Sequence, residues 1–289
     1  MDYLLSFMIR SAAWALSFLP FSLVARLARS AGGLLYFVLI FRRKIALKNL
    51  DTAFGHSLPA KEKRRIARRS FQNMTLSATE LFMVPRMIRR ARSCFGFSNY
   101  HFLEQAFAKG RGVILAISHL GSWEYLSFLP YLQKPRWSVI VKDIRNPYLN
   151  RNINDLRRMM TVNPIPKKDS IKQAVRQLKQ NHGVAILIDQ WAGGEGIWKF
   201  FFGHPTSTTS VPARLALRFG SPIVPAYCIR TSPGFYTIEI HESVPAEGSS
   251  ESELTQRLNR LLEEQIKRYP DQWLWAHRRW KPMPAGIRQ

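Results

Sequence analysis

His119 and Glu124 stand five positions apart in Ser118-His-Leu-Gly-Ser-Trp-Glu124, just after the apolar run Gly112–Ile117. That pairing suits proton abstraction from an alcohol. Neutral imidazole takes the hydroxyl proton as the oxygen attacks a thioester carbonyl, and a neighbouring carboxylate fixes the ring tautomer and stabilises the imidazolium. The acceptor hydroxyl is itself the nucleophile, so the chemistry requires no Ser, no Cys and no metal. Positioned general-base catalysis contributes ~10²–10⁴-fold. Taken alone, an H-x4-E spacing fits a structural histidine and a helix-surface glutamate better than a catalytic pair. Its place at the end of a buried strand brings the two readings level.

Asp189-Gln190 closes a second apolar run, Gly183–Ile188. An unpaired carboxylate is costly to bury, so Asp189 is a second site candidate, with a cap or turn as the competing use. Gly193-Gly-Glu-Gly196 follows without phosphate-loop or dinucleotide spacing. In Thr206-Ser-Thr-Thr-Ser210 the hydroxyls, Thr208 and Thr209 among them, and the helix start beyond them suit an anion or a developing oxyanion. N-capping by Ser210 is the simpler use of that residue. Arg157 and Arg158 end a polar helix and either clamp a phosphate or are solvated.

The elements that must position these groups alternate. Strands are predicted over 113–117, 137–141, 183–188, 223–229 and 235–240. Helices are predicted over 122–132, 147–160, 170–180, 211–219 and 251–269. A further helix opens with Ser57 as N-cap and Pro59 in its first turn and runs to about Leu81. Buried strands alternating with helices imply a layered α/β domain with a mainly parallel sheet, whose sites gather at the carboxyl ends of strands.

Residues 1–41 are apolar but interrupted. Arg10 and Arg26 bracket 15 residues containing Pro20, and Arg29 and Arg42 bracket 12. Neither reaches the ~20 residues of a clean span. Two short helices in the interface are expected, their arginines reaching phosphates, with one tilted span as the other reading. Basic residues follow at once, at Arg42, Arg43, Lys44 and Lys48, then from Lys61 to Arg69, and favour a cytoplasmic, anionic surface.

The chain carries 43 Lys+Arg against 19 Asp+Glu, a formal charge of +24, which favours a polyanionic partner. Eight Trp and 18 Phe turn that preference toward lipid, and no nucleic-acid module is present. The two cysteines, Cys94 and Cys228, have no metal-ligand spacing and read as buried thiols in a reducing compartment. The C-terminal Trp273-Leu-Trp-Ala-His-Arg-Arg-Trp280 is open to cation–π contacts at an interface or to packing on the domain.

Four ordered blocks carry a resemblance. They are Arg43–Phe54 with Ser57-Leu-Pro and a basic helix ending near Glu80; His119–Glu124; Asp189-Gln190 with Phe200-Phe-Phe-Gly203 and Thr208-Thr209; and Gln272-Trp-Leu-Trp-Ala-His-Arg-Arg-Trp-Lys281. Together they resemble the late acyltransferases of lipid A biosynthesis, within the wider glycerolipid acyltransferase-like proteins. The resemblance implies membrane-anchoring helices over 1–41 and an acyltransferase domain over 42–289, in which 42–100 is a basic helical region packed on the catalytic α/β core. It implies His119 and Glu124 as the catalytic pair and Asp189 in the active site, with Gln190, Arg157, Arg158, Thr208 and Thr209 as further candidates for substrate contact. The donor it implies is a thioester of acidic acyl carrier protein, or of coenzyme A, and no cofactor is needed. The acceptor is an anionic glycolipid, acylated on a hydroxyl of a 3-hydroxyacyl chain. The place is the cytoplasmic face of the bacterial inner membrane.

Overall fold

Pro20 divides the N-terminal apolar sequence, since it cannot continue a helix from the preceding turn. In the computed structural model, which describes residues 2–16, 18–132, 136–168 and 170–283, α1 (Asp2–Leu16) ends before it and α2 (Phe21–Val38) begins after it. Parts of both expected domains, namely residues 1, 17, 133–135, 169 and 284–289, lie outside the described residues. The second helix is longer than its arginine spacing predicts. It runs through Arg26 and Arg29 for 18 residues, because arginine is a good helix former and nothing there breaks the backbone. It is long and apolar enough to cross a membrane by length and composition, and a third of it is buried against protein.

Helix α3 (Ile40–Phe54) carries the first basic cluster and α4 (Ala60–Phe82) the second. Ser57 is not the cap of α4. It sits in a 3-10 turn with its hydroxyl donating to the Phe54 carbonyl, and extended Pro59 precedes the helix instead. Helices α2 and α4 meet at Gly32, where an added Cβ would lie 2.6 Å from the Gln72 Cα and 2.7 Å from the Phe71 carbonyl oxygen.

Four elements follow before the central strands: α5 (Val84–Ile88), α6 (Ala91–Cys94), β1 (Phe95–Ser98) and α7 (His101–Ala108). Then β2 (Val113–Ile117), α8 (Leu129–Leu132), β3 (Trp137–Val141), α9 (Pro147–Met159), β4 (Val162–Pro166), α10 (Ser170–Lys179) and β5 (Gly183–Leu187) alternate. The chain ends with β6 (Ile197–Phe201), β7 (His204–Thr208), α11 (Val211–Phe219), β8 (Ile223–Ser232), β9 (Phe235–Ile240) and α12 (Glu251–Arg268).

One seven-stranded sheet has the order β1-β9-β8-β2-β5-β3-β4, and β6–β7 form a separate antiparallel pair. Every neighbouring pair in the large sheet is parallel except β8 with β9, as the alternation of elements predicts. Strand β2 is the central strand of the sheet and is buried at every position. Its alternate residues feed two cores, Leu115 and Ile117 on one face, Ile114 and Ala116 on the other. The strand β4 that sequence patterning overlooks contains Pro164 and Pro166. Proline lacks a ladder donor, and β4 is accordingly the edge strand.

The C-terminal tryptophan segment packs on the domain. Asn49 on α3 donates to the carbonyls of Trp275 and His277 at 2.8 and 2.6 Å, and Ser70 on α4 donates to that of Trp273 at 2.5 Å. Trp273, Trp275 and Arg279 are wholly buried, while Arg278 stacks 4.6 Å over the exposed ring of Phe41.

Candidate active site

Sheet register builds the centre of the site. Strands β2 and β5 are parallel neighbours with Ile117 opposite Leu187. His119 and Asp189 each lie two residues further on, so the two leave the sheet side by side at its carboxyl edge. The His119 Nδ1 is 2.9 Å from Asp189 Oδ1, and the His119 backbone N–H donates to Oδ2 at 2.8 Å. The indole N–H of Trp273 donates to the same Oδ2 at 2.9 Å. Asp189 thus accepts from three donors and holds the proton on Nδ1, which leaves the ring lone pair on Nε2.

The ring is 14% exposed, edged by Trp123 at 5.1 Å between centroids. Gln190 Nε2 stands 3.4 Å from His119 Nε2, on the open side of the ring. Burial alone would depress the imidazole pKa. The Asp189 charge and hydrogen bond, with a contribution from Glu124, more than offset it and raise the pKa above its ordinary value. Burial pushes Asp189 upward, but the His119 charge and its ring and backbone bonds, with Trp273, bring the carboxyl below its ordinary range.

Glu124 does not reach the ring nitrogen. Residues Trp123–Phe128 form a 3-10 helix rather than the expected α-helix, followed by the single turn of α8. The tighter winding points Glu124 across to α9, where Arg157 grips it bidentately at 3.0 and 2.6 Å. The orienting carboxylate expected of Glu124 is thus supplied by Asp189, and Glu124 acts on His119 only through its charge. Arg158 points elsewhere, pairing with Asp155 on the solvent side of α9.

Thr208 is not presented to a substrate either. It is buried, and its hydroxyl accepts from Arg279 at 2.7 Å and from Asn259 at 3.3 Å. Arg279 also donates to the carbonyls of Gln190 and Ser207, tying the loop after β5 to β7. Burial draws its guanidinium pKa down to about 10 against the pull of Asp189, so it stays charged at neutral pH. Thr209 turns inward along the chain, its hydroxyl 3.4 Å from the Val211 N–H, and Ser210 makes no side-chain cap.

Beneath the Glu124–Arg157 pair lies a narrow cavity of about 40 Å³. It runs down one face of the sheet between Ile117 and Leu187 near the carboxyl edge and Trp137 and Val162 toward the amino edge, and its walls are mostly apolar, with Ser127 and Ser138 besides the charged pair.

The loop from His119 to Glu124 is locked from behind. Gly121 has φ +64°, and a Cβ there would lie 2.1 Å from the Cys228 carbonyl oxygen, so only glycine fits. Its N–H donates to the Gln272 carbonyl at 3.0 Å, and its carbonyl accepts from Ser77 at 2.8 Å. Next to it, Ser122 donates to Glu80 at 2.6 Å and accepts from Arg230 at 2.8 Å. Glu80 and Arg230 are a fully buried bidentate pair, at 2.7 and 2.6 Å, also contacted by Tyr236. Sequence reading missed Trp273, Gly121 and Arg230 as site-building residues. Only the buried acid at the end of α4 and the tryptophan block hinted at them.

A histidine held by a carboxylate at the carboxyl edge of a parallel α/β sheet, with an arginine beside an apolar cavity nearby, suits an enzyme that transfers an acyl group. Across residues 1–282 the chain matches the family model described as bacterial lipid A biosynthesis acyltransferase, and it belongs to that family. It is 25% identical over 280 residues to the lipid A biosynthesis palmitoleoyltransferase of Escherichia coli (strain K12), covering 94% of this chain and 90% of that protein. It is 23% identical over 294 residues to the lipid A biosynthesis lauroyltransferase of the same organism, covering 99% and 94%. A phosphatidylinositol mannoside acyltransferase of Mycobacterium tuberculosis (strain CDC 1551 / Oshkosh) is 21% identical over 62% of this chain and 57% of its own length.

Proposed function

We propose that this acyltransferase moves a fatty acyl group from an acyl-carrier-protein thioester to the hydroxyl of a 3-hydroxyacyl chain on a lipid A precursor, at the cytoplasmic face of the inner membrane. The observation that carries the reading is the His119 ring, fixed through Nδ1 by Asp189, with Nε2 met only by the long 3.4 Å contact of the Gln190 amide, on a loop whose Glu124 and its partner Arg157 line an apolar cavity. The apolar lining suits the first carbons of the donor chain, with its thioester carbonyl at the Arg157 end, and at about 40 Å³ the cavity must widen to take the rest of the chain.

The acceptor hydroxyl donates to His119 Nε2 and its oxygen adds to the thioester carbonyl as the proton moves to Nε2. The carbonyl oxygen becomes an oxyanion, which the Arg157 guanidinium stabilises. The imidazolium is held by Asp189 and by the nearby charge of Glu124. Collapse of the intermediate breaks the carbon–sulfur bond, and the thiolate leaves with the proton from Nε2–H. The ester and the free thiol carry every atom and proton that entered.

The charge of +24 supports an acidic carrier protein, an anionic glycolipid and an anionic bilayer as partners. The exposed apolar residues of α1 and α2, among them Phe7, Trp14, Phe37 and Val38, support a membrane surface. Coenzyme A is the competing donor. The mycobacterial relative favours a second acceptor reading, another glycolipid served by the same histidine. The test is mass spectrometry of glycolipids after incubation with acyl-carrier-protein thioester. Wild type adds one acyl chain to the lipid A precursor, and His119→Ala adds none while remaining folded. Transfer undiminished in His119→Ala removes the proposed base, and transfer only to a different glycolipid replaces the acceptor.

A further inference from the structure

A second cavity, of about 360 Å³, opens between α1, the junction of α4 with α5, and α9. Its floor is apolar, with Phe82, Met83, Leu156 and Met159, and its rim carries Arg10, Arg86 and Arg89. Helix α1 roofs it. Two polar contacts pin the first part of that helix, Asn146 donating to the Asp2 carbonyl at 3.1 Å and Asn152 donating to the Ser6 hydroxyl at 2.6 Å. The Arg10–Trp14 stretch beyond them is left to line the cavity.

Three features give the cavity an occupant. Arg10 and Arg89 have no carboxylate partner among the described residues, and Arg86 donates to the Leu19 carbonyl. The acid in the lining, Asp155, is met by Arg158 at 2.8 Å. Arg10 and Arg89 thus present guanidinium groups that no ion pair among the described residues engages, and their planar fork suits phosphate. Trp14 lines the cavity while 67% exposed, and it belongs to the apolar outer surface of α1 with Phe7 and Met8, so the mouth opens where a bilayer would lie. Leu156 lines this cavity, and the next residue on α9, Arg157, holds Glu124 beside His119. Helix α9 thus lines this cavity through Leu156 and the cavity beside Glu124 through Arg157.

We propose that this cavity binds the phosphate-bearing head of the glycolipid acceptor, with Arg10 and Arg89 on the phosphate and the Trp14–Met159 wall against its apolar part. The assignment rests on the acceptor reading above and adds the place where the phosphate is recognised. An acceptor anchored there approaches His119 from the bilayer side with its hydroxylated chain. The start of the donor chain then takes the separate cavity under Arg157.

The test is steady-state kinetics of Arg10→Ala/Arg89→Ala in detergent micelles, with phosphorylated and enzymatically dephosphorylated acceptor. Losing a charge-assisted contact costs roughly tenfold per arginine, so KM for the phosphorylated acceptor rises roughly 10- to 100-fold. With dephosphorylated acceptor the variant and wild type have the same KM. An unchanged KM for the phosphorylated acceptor, or an equal loss with the dephosphorylated one, overturns the proposal. Arg10→Lys/Arg89→Lys keeps the charge and recovers part of the affinity, which separates a local contact from misfolding. Competition distinguishes the source of the phosphate: displacement by phosphatidylglycerol as effective as by acceptor itself assigns the arginines to the bilayer and overturns the acceptor site. Should wild type transfer no acyl group to any glycolipid, equilibrium binding of radiolabelled phosphorylated glycolipid still reads the cavity. Binding lost in the double variant upholds the site, and binding equal to wild type overturns it.

Discussion

His119 and Asp189, 70 residues apart in sequence, are brought within 2.9 Å because each stands two residues beyond a register pair of neighbouring parallel strands. The carboxylate does more than add charge: it decides which ring nitrogen holds the proton. Asp189→Asn lets an amide N–H face Nδ1 and places the proton on Nε2, where it blocks the base. The expected loss in kcat is ~10³–10⁴-fold, by comparison with tautomer-inverting changes in other histidine bases. The pH profile gives a second readout. The His119 pKa is raised in the folded enzyme, so wild-type kcat/KM falls as pH drops through a value above the ordinary 6.5. Removing an anion favours neutral imidazole, so the residual activity of Asp189→Asn has its acid limb at lower pH. A limb at unchanged pH would detach Asp189 from the titrating group.

Arg157 and Glu124 make a separate prediction. The guanidinium holds two bonds to the carboxylate, at 3.0 and 2.6 Å, and a lysine cannot reproduce both. Arg157→Lys is expected to lower kcat by ~10²–10³-fold, the scale of losing one oxyanion donor, and to leave the acid limb of the pH profile in place. Glu124→Gln removes a charge that raises the His119 pKa from a distance. Its acid limb therefore moves the same way as that of Asp189→Asn, by a smaller interval. Equal displacement in the two variants would mean that Glu124 contacts the ring during turnover.

The parallel sheet was legible because β2 and β5 are unbroken apolar runs and the helices between them are amphipathic. The choice of His119's partner was not. Glu124 is five residues away in sequence and Asp189 seventy, and only strand order and register put β5 next to β2. Sequence spacing also cannot show that Trp123–Phe128 winds as a 3-10 turn, because Ser122 and Tyr125 are both bonded to Glu80 on α4. The edge strands β1 and β4 were hidden for opposite reasons, β1 by its shortness and β4 by its prolines. Thr208 looked like an oxyanion donor until burial showed it bonded to Arg279, a residue 71 positions later.

The Glu80–Arg230 pair predicts an asymmetry in stability. Both side chains are about 1% exposed and bonded to each other and to Ser77, Ser122 and Tyr236. Removing one partner strands a buried charge, which costs about 3–5 kcal/mol. Arg230→Met is therefore expected to unfold at much lower denaturant than wild type, and to lose activity through the Ser122 loop. Replacing both charges in Glu80→Met/Arg230→Met is expected to recover much of that stability, as measured by a double-mutant cycle in chemical denaturation. Activity need not return with it, because the hydrogen bonds to Ser122 remain absent. A double variant as unstable as the sum of the two single variants would show that the charges are not coupled.

Gly32 and Gly33 on α2 offer the sharpest contrast between neighbours. A Cβ on Gly32 would meet the α4 backbone, 2.6 Å from the Gln72 Cα and 2.7 Å from the Phe71 carbonyl oxygen. Neither atom can step aside unless the two helices separate. A Cβ on Gly33 would meet only the ends of flexible side chains, the Gln72 Nε2 at 3.3 Å and the Arg68 guanidinium at 3.8 Å. Alanine also favours a helix interior over glycine by up to ~1 kcal/mol. Gly33→Ala is therefore expected to be neutral or slightly stabilising, and Gly32→Ala to cost about 1–3 kcal/mol through overpacking. Thermal unfolding in detergent reads both. If the two variants lost stability equally, α2 would not be seated on α4 through this close approach. Its burial of Phe71 and its hold on the helix that carries Ser77 and Glu80 to the active-site loop would then need another source.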